Sequence, residues 1–172
     1  MTTLQPRISL PSFHNRGVAY AQAPSHSTSV PSPSLASAVE AAVNAFDERR
    51  LIPVFPDDSG PVVAPKTLLA LLCFSYARGI YASKDIDSAL RQDSNLMRLC
   101  PGAIPDVWVL RHFQRHNREA LRNCLLAALC FMAQQKVAEG FVTKVNKAHL
   151  EQEAIRRITV AAFLDSSQPC GT

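Results

Sequence analysis

Apolar and polar positions along this chain recur with helical rather than strand-like period. Over 34–50, Leu35, Val39, Val43 and Phe46 fall three or four apart, with Ala42 on the same side. Glu40, Asp47, Glu48, Arg49 and Arg50 take the other side, which predicts an amphipathic helix capped by Ser34. Over 51–64, Pro53, Pro56, Pro61 and Gly60 surround Asp57 and Asp58, and this proline density predicts a loop. Positions 68, 69, 71–74 and 76 are then apolar on every side of a helix launched by Pro65, the pattern of a buried core helix. Gly79 supplies its stop.

A short helix is expected over 83–91, capped by Ser83, with Asp85 and Asp87 near its positive end and Ile86, Ala89 and Leu90 on its apolar face. Ser94 is expected to cap a further turn ending at Cys100-Pro101-Gly102. Asp106, after Pro105, is a good cap for a helix beginning at Val107. No proline or glycine follows until Gly140, and Leu121, Leu125, Ala128, Leu129 and Met132 mark the apolar face of the later part. A last amphipathic segment over 144–164 carries Leu150, Ile155, Ile158 and Phe163. No segment alternates as a strand does and no repeat is visible. The pattern therefore predicts an all-α fold, a compact domain of some six or seven helices over 34–164. A leader over 1–33 is expected before it and a loose tail over 165–172 after it.

Composition changes this picture mainly at the start. Residues 1–33 are rich in Ser and Pro, contain no acidic residue, and carry only Arg7 and Arg16 as fixed charges. Such a stretch buries too little apolar surface to offset its ordering entropy, so disorder is expected. An organelle transit peptide has the same Arg- and Ser-rich, acid-poor look, whereas the apolar core of a secretory signal is missing. The 172 residues carry a formal net charge of +4, mildly basic and compatible with nucleic acid without demonstrating it. No apolar run reaches the roughly 18 residues of a membrane span. The five cysteines, at 73, 100, 124, 130 and 170, have no CxxC spacing. They read as reduced thiols of an intracellular, cytoplasmic protein rather than as a disulfide framework or zinc site.

Candidate chemistry concentrates after Asp106. Arg111, Arg115, Arg118 and Arg122 are spaced 4, 3 and 4 apart. On a continuous helix they form one row that could contact successive phosphates, while an ordinary solvated face is the competing reading. A helix break near Asn117 would split the row into two pairs. His112 and His116 stand four apart, but Phe113 occupies the place of a metalloprotease glutamate, and no third ligand has partner spacing, so no metal is expected. Trp108 and Phe113 read as core anchors, with base stacking the alternative. The acidic pairs Asp57/Asp58 and Asp85/Asp87 have turn and capping explanations. No phosphate loop, nucleophile triad or cofactor motif is present.

Two blocks in this stretch resemble the N-terminal helical domain of InsH-type transposases, from DDE insertion sequences. That family has an apolar helix ending in GYxxGIxSSR, then PDxxTxxRFRxRH some twenty to thirty residues later. Here Tyr76, Gly79, Ile80 and Ser83 match the first block, with Lys84 in place of its arginine. Pro105, Asp106, Phe113, Arg115 and His116 match the second. Trp108 and Val109 replace small hydroxyl residues, and Gln114 replaces an arginine. The resemblance spans roughly 46–140 and implies a helix-turn-helix-like unit that engages the element's DNA. For such a unit the arginine row makes Arg111, Arg115, Arg118 and Arg122 the expected phosphate contacts, with Lys84 and Arg91 as outliers. The ribonuclease H-like domain holding such a transposase's catalytic acids has no counterpart in these residues. The expectation is therefore a truncated or split transposase domain, not itself an enzyme, needing no cofactor. Its expected partners are DNA, a second copy or a separately encoded catalytic domain. A helical interaction or dimerisation module, built on the Leu- and Cys-rich stretch 121–132, and a functionless remnant are the alternatives.

Overall fold

A computed structural model describes residues 33–55 and 62–167. The leader before Pro33, the pair Asp57/Asp58 and Cys170 lie outside the described residues. Seven α-helices follow in order: α1 Leu35–Ala45, α2 Pro65–Ala77, α3 Ser83–Leu90, α4 Ser94–Leu99, α5 Val107–His116, α6 Arg118–Ala138 and α7 Lys147–Ser167. A 3₁₀ turn, Glu48–Arg50, follows α1. The described residues contain no strand, so the fold is all-α as the periodicity predicts.

Helix α2 is the axis of the domain. Every residue from Leu68 to Ala77 is buried, and α1, α4, α5, α6 and α7 all pack against it. Pro65 occupies its first turn, where a missing N–H costs nothing. Its C-terminus closes on Gly79, at φ +85°, a left-handed conformation that side chains with a Cβ adopt only with strain. The carbonyls of Tyr76 and Ala77 at this end accept from Arg157 of α7 at 2.8 Å each. The long helices α6 and α1 cover α2, and α7 covers α6. Cys73, Cys100 and Cys124 are buried free thiols, and burial pushes the Cys73 thiol well up.

Several boundaries differ from the sequence expectation, each for an identifiable reason. The first helix stops at Ala45 rather than Arg50, because Asp47 turns its side chain onto the Arg49 N–H and starts the 3₁₀ turn. Ser83 is the first residue of α3 and does not cap it, since its hydroxyl is used elsewhere. Asp93, not Ser94, caps α4, accepting from the N–H groups of Asn95 and Leu96. Burial opposes ionisation of that carboxyl, but these two N–H donors and the Arg78 guanidinium outweigh it and hold Asp93 below its ordinary range. Asp106 caps α5 as expected, accepting from the Val109 N–H at 2.8 Å.

The proline- and glycine-free run from Val107 to Glu139 is two helices, broken at Asn117, so the arginine row splits into two pairs. This side chain is buried. Its amide donates to the carbonyls of Phe113 (3.1 Å) and Ile52 (3.0 Å), and its Oδ1 accepts from the Ile52 N–H at 2.8 Å. An asparagine that hydrogen-bonds backbone competes with the helix ladder, and here it also pins the 51–55 strand of loop to the break. The tail expected from 165 onward is helical through Ser167, and Asp165 is buried. The buried face of α7 is Ala154, Ile158, Ala161 and Asp165. Ile155 and Phe163, expected on that face, are instead exposed, Phe163 at 68%.

Candidate nucleic-acid interface at the α5–α6 corner

The arginine row meets α7 where the break at Asn117 turns α5 into α6. At its base lies a buried polar cluster around Asp165. Asp165 Oδ1 accepts from the Ser83 N–H at 2.8 Å, and Oδ2 accepts from the Ser83 hydroxyl at 2.7 Å. The Arg111 Nε is 3.6 Å from Oδ1, with both side chains at most 10% exposed. Gln114 adds a donor to Oδ2 at 3.1 Å and accepts from the Ala162 N–H at 3.0 Å, in the amide orientation that satisfies both ends. One carboxylate thus ties α3, α5 and α7 together. It also supplies the N-terminus of α3 with the acceptor that a local cap would have given. Buried Tyr76 stands close enough that its phenol is pushed well up, first by burial and then by the charge of Asp165.

Above this cluster opens a cleft of about 370 Å³. Arg111 and Gln114 form its floor, and Arg115 and Arg118 stand exposed on one wall. Thr159, Phe163 and Ser166 form the other wall; they are four and three residues apart on the outer face of α7. Among the described residues neither Arg115 nor Arg118 is in an ion pair. Two unpaired guanidinium groups beside a buried third make a positive, concave surface suited to an anion with several acceptor oxygens.

The structure therefore divides the six basic residues singled out from the sequence. Arg111 is buried at 8% exposure and is held by Asp165, so it cannot act as an outward phosphate contact. This corrects its place in the row: periodicity assigns it a face, but the face is covered by the end of α7. Arg115 and Arg118 share the cleft although they belong to different helices. Arg122, half-buried on α6, and exposed Lys84 on α3 are not among the described lining residues. Arg91 ends α3 and is paired with Asp87 at 3.4 Å.

The aromatic candidates separate likewise. Phe113 is wholly buried, as a core anchor should be. Trp108 is half-buried, packs on the core and stacks on His112 with ring centroids 3.7 Å apart. The His112 and His116 Nδ1 atoms lie 3.0 and 2.8 Å from the carbonyls of Trp108 and His112. A carbonyl can only accept, so both Nδ1 atoms carry the proton and both rings stand in fixed register along α5. Among the described residues no group of three or more His, Cys, Asp or Glu side chains could hold a metal. No helix of the described residues is long and apolar enough to cross a membrane.

Matched positions of the two sequence blocks have architectural duties: Tyr76 is core, Gly79 ends α2, Ser83 binds Asp165, Asp106 caps α5 and Phe113 is core. Asp165, Thr159 and Phe163 were not recognisable as site residues from composition or motif. One signal did exist. Ala154, Ile158, Ala161 and Asp165 are spaced 4, 3 and 4 apart, which puts a carboxylate in line with the core face of its helix. Comparison of the chain with protein-family models, curated proteins and solved structures gives no match.

Proposed function

We propose that this chain is a helical DNA-binding domain of transposase type, whose nucleic-acid contact is the α5–α6 corner. The observation that carries this reading is the pair Arg115 and Arg118, exposed, without an ion pair among the described residues and together lining one cleft. Surface arginines without acidic partners retain their full field for a polyanion. The net charge of +4 favours the same class of ligand. In this reading Arg111 is a positioning residue. Through Asp165 it holds α5 against α7, and so fixes the angle at which Arg115 is presented. In this reading the short helices α3, α4 and α5 leading into that corner would serve as the helix-turn-helix-like unit that the sequence resemblance implies.

Fluorescence anisotropy with a labelled duplex at low and moderate salt tests the proposal. Affinity should fall as salt rises, because each neutralised phosphate releases counterions. The double variant Arg115→Ala/Arg118→Ala should weaken binding and reduce the slope of log affinity against log salt by about 2, one for each lost phosphate contact. An unchanged slope, or no binding by the parent chain at low salt, rejects the reading.

A second reading, a protein-interaction module, is favoured by one observation. Phe141 is 78% exposed and Val142 44%, in the turn between α6 and α7. Val142 sits at a cleft of about 380 Å³ whose apolar lining includes Leu129, Met132, Val145 and Leu150. The stretch 121–132 that first motivated this reading is largely spent on the protein's own core, since Leu121, Cys124, Leu125, Ala128 and Leu129 are buried. A concentration-independent monomer mass would count against self-association through this turn.

A further inference from the structure

The two walls of the Arg115/Arg118 cleft are chemically opposite, and this bears on the form of nucleic acid that fits it. Arginine offers only donors. The Thr159 hydroxyl donates to the Ile155 carbonyl at 2.9 Å, and the Ser166 hydroxyl donates to the Phe163 carbonyl at 2.8 Å. With their protons committed to the helix backbone, both oxygens are left as acceptors on the α7 wall. Between them in sequence stands Phe163, an aromatic ring 68% exposed and unused by the core. Phe163 thus adds to the mouth of the cleft an aromatic face that the core does not cover.

We infer that this cleft receives an unpaired nucleotide, its phosphate on Arg115 and Arg118 and its base against Phe163, so that the chain binds single-stranded or frayed nucleic acid in preference to intact duplex. The inference rests on the DNA-binding reading above and narrows it. A duplex presents its phosphates to the arginines but keeps the faces of its bases stacked inside. An unpaired nucleotide offers three matching features at once: an anion for the donor wall, a π face for Phe163, and base N–H or sugar O–H donors for the Thr159 and Ser166 oxygens. The cleft's volume of about 370 Å³ lies within the range of small-ligand sites. The floor is rigid, because Arg111 and Gln114 are held by the buried Asp165 cluster. The helices that carry the arginines and the ring are therefore tied together at the floor before any ligand arrives.

The test uses the full chain, a short labelled single strand of mixed sequence, and the matching blunt duplex, titrated at low salt. The single strand should bind more tightly than the duplex. Phe163→Ala should lower single-strand affinity about tenfold, the scale of one lost base–aromatic stack, and leave duplex affinity unchanged. Phe163→Tyr should retain single-strand binding, since the ring face persists. Arg115→Ala/Arg118→Ala should weaken both ligands. Phe163 is exposed, so its variants should keep the parent's circular dichroism and unfolding midpoint, which separates a lost contact from a lost fold. Equal affinity for the two ligands, or single-strand binding indifferent to Phe163→Ala, overturns the inference while leaving the duplex reading intact. No binding of either ligand at low salt removes both.

Discussion

Arg111 and Arg115 are the same residue type, one helical turn apart on α5, and they have opposite fates. Arg111 is buried against Asp165 and stitches α5 to α3 and α7. Arg115 stands in solvent at the cleft, without an ion pair among the described residues. Helical spacing puts two side chains in one row, but it does not say how far along that row a neighbouring helix reaches. Helix α7 reaches Arg111 and stops short of covering Arg115. The contrast teaches that a basic stripe must be divided into charges that hold the fold and charges left for a partner. Desolvation makes the first kind costly to disturb, whereas solvent screening makes the second kind nearly neutral for stability.

The most severe test of that division is Asp165→Ala. It leaves the buried Arg111 guanidinium and the Ser83 N–H and hydroxyl without their common acceptor. Breaking one side of a buried charge pair costs about 3–5 kcal/mol. Arg115→Ala should stay within about 0.5 kcal/mol of the parent, as surface substitutions do. Denaturant unfolding of both variants reads the difference; similar midpoints would abolish the distinction between the two arginines.

Asn117→Ala tests the hinge that lets the row change helix. It removes the acceptor for the Ile52 N–H and the donor to the Ile52 and Phe113 carbonyls. The expected loss is about 1–3 kcal/mol, the penalty for stranding part-buried polar groups. Protection of the Ile52 amide against hydrogen exchange should fall as well. Unaltered stability and protection would mean that packing, not this side chain, breaks the helix.

The smallest expected effect concerns a second structural charge on α7. Glu153 receives hydrogen bonds from Arg156, while burial opposes ionisation and Arg157 adds a further donor. The balance brings its pKa down from 4.5 to about 2. A depressed folded-state pKa gives stability that is present above the unfolded value and is lost as pH falls through the folded value. Glu153 should therefore stabilise the domain above about pH 4.3 and cease to do so towards pH 2. Its Arg156 partner is 59% exposed, so solvent screening limits the contribution to about 1 kcal/mol at neutral pH. Glu153→Gln should flatten that acid limb in thermal melts between these pH values. An acid limb as steep as the parent's would show that the ion pair adds nothing to folding.

Much of the fold was legible because its signals are local. The all-round apolar α2, the caps Ser34 and Asp106, and the stops Gly79 and Gly140 follow from near-neighbour chemistry, and all stand where the pattern placed them. Two features that the pattern does not carry have long-range causes. Asn117 breaks a helix by bonding to Ile52, 65 residues away, and Ser83 abandons its capping role for Asp165, 82 residues away. No window along the chain contains either partner.

The candidate site divides along the same line. The sequence by itself determined that arginines cluster after Asp106, that they fall on a common face, and that the chain carries enough helical pattern to present them. Only the tertiary structure decided which of them remain available, because availability depends on what the far end of α7 covers. It also brought Phe163, Thr159 and Ser166 opposite Arg115 and Arg118, across a cleft formed by elements some forty residues apart in sequence. Periodicity encodes the direction in which a side chain leaves its own helix. What meets it there is set by packing, where burial of Ala154, Ile158 and Ala161 fixes α7 on the core and leaves its outer face to form the second wall.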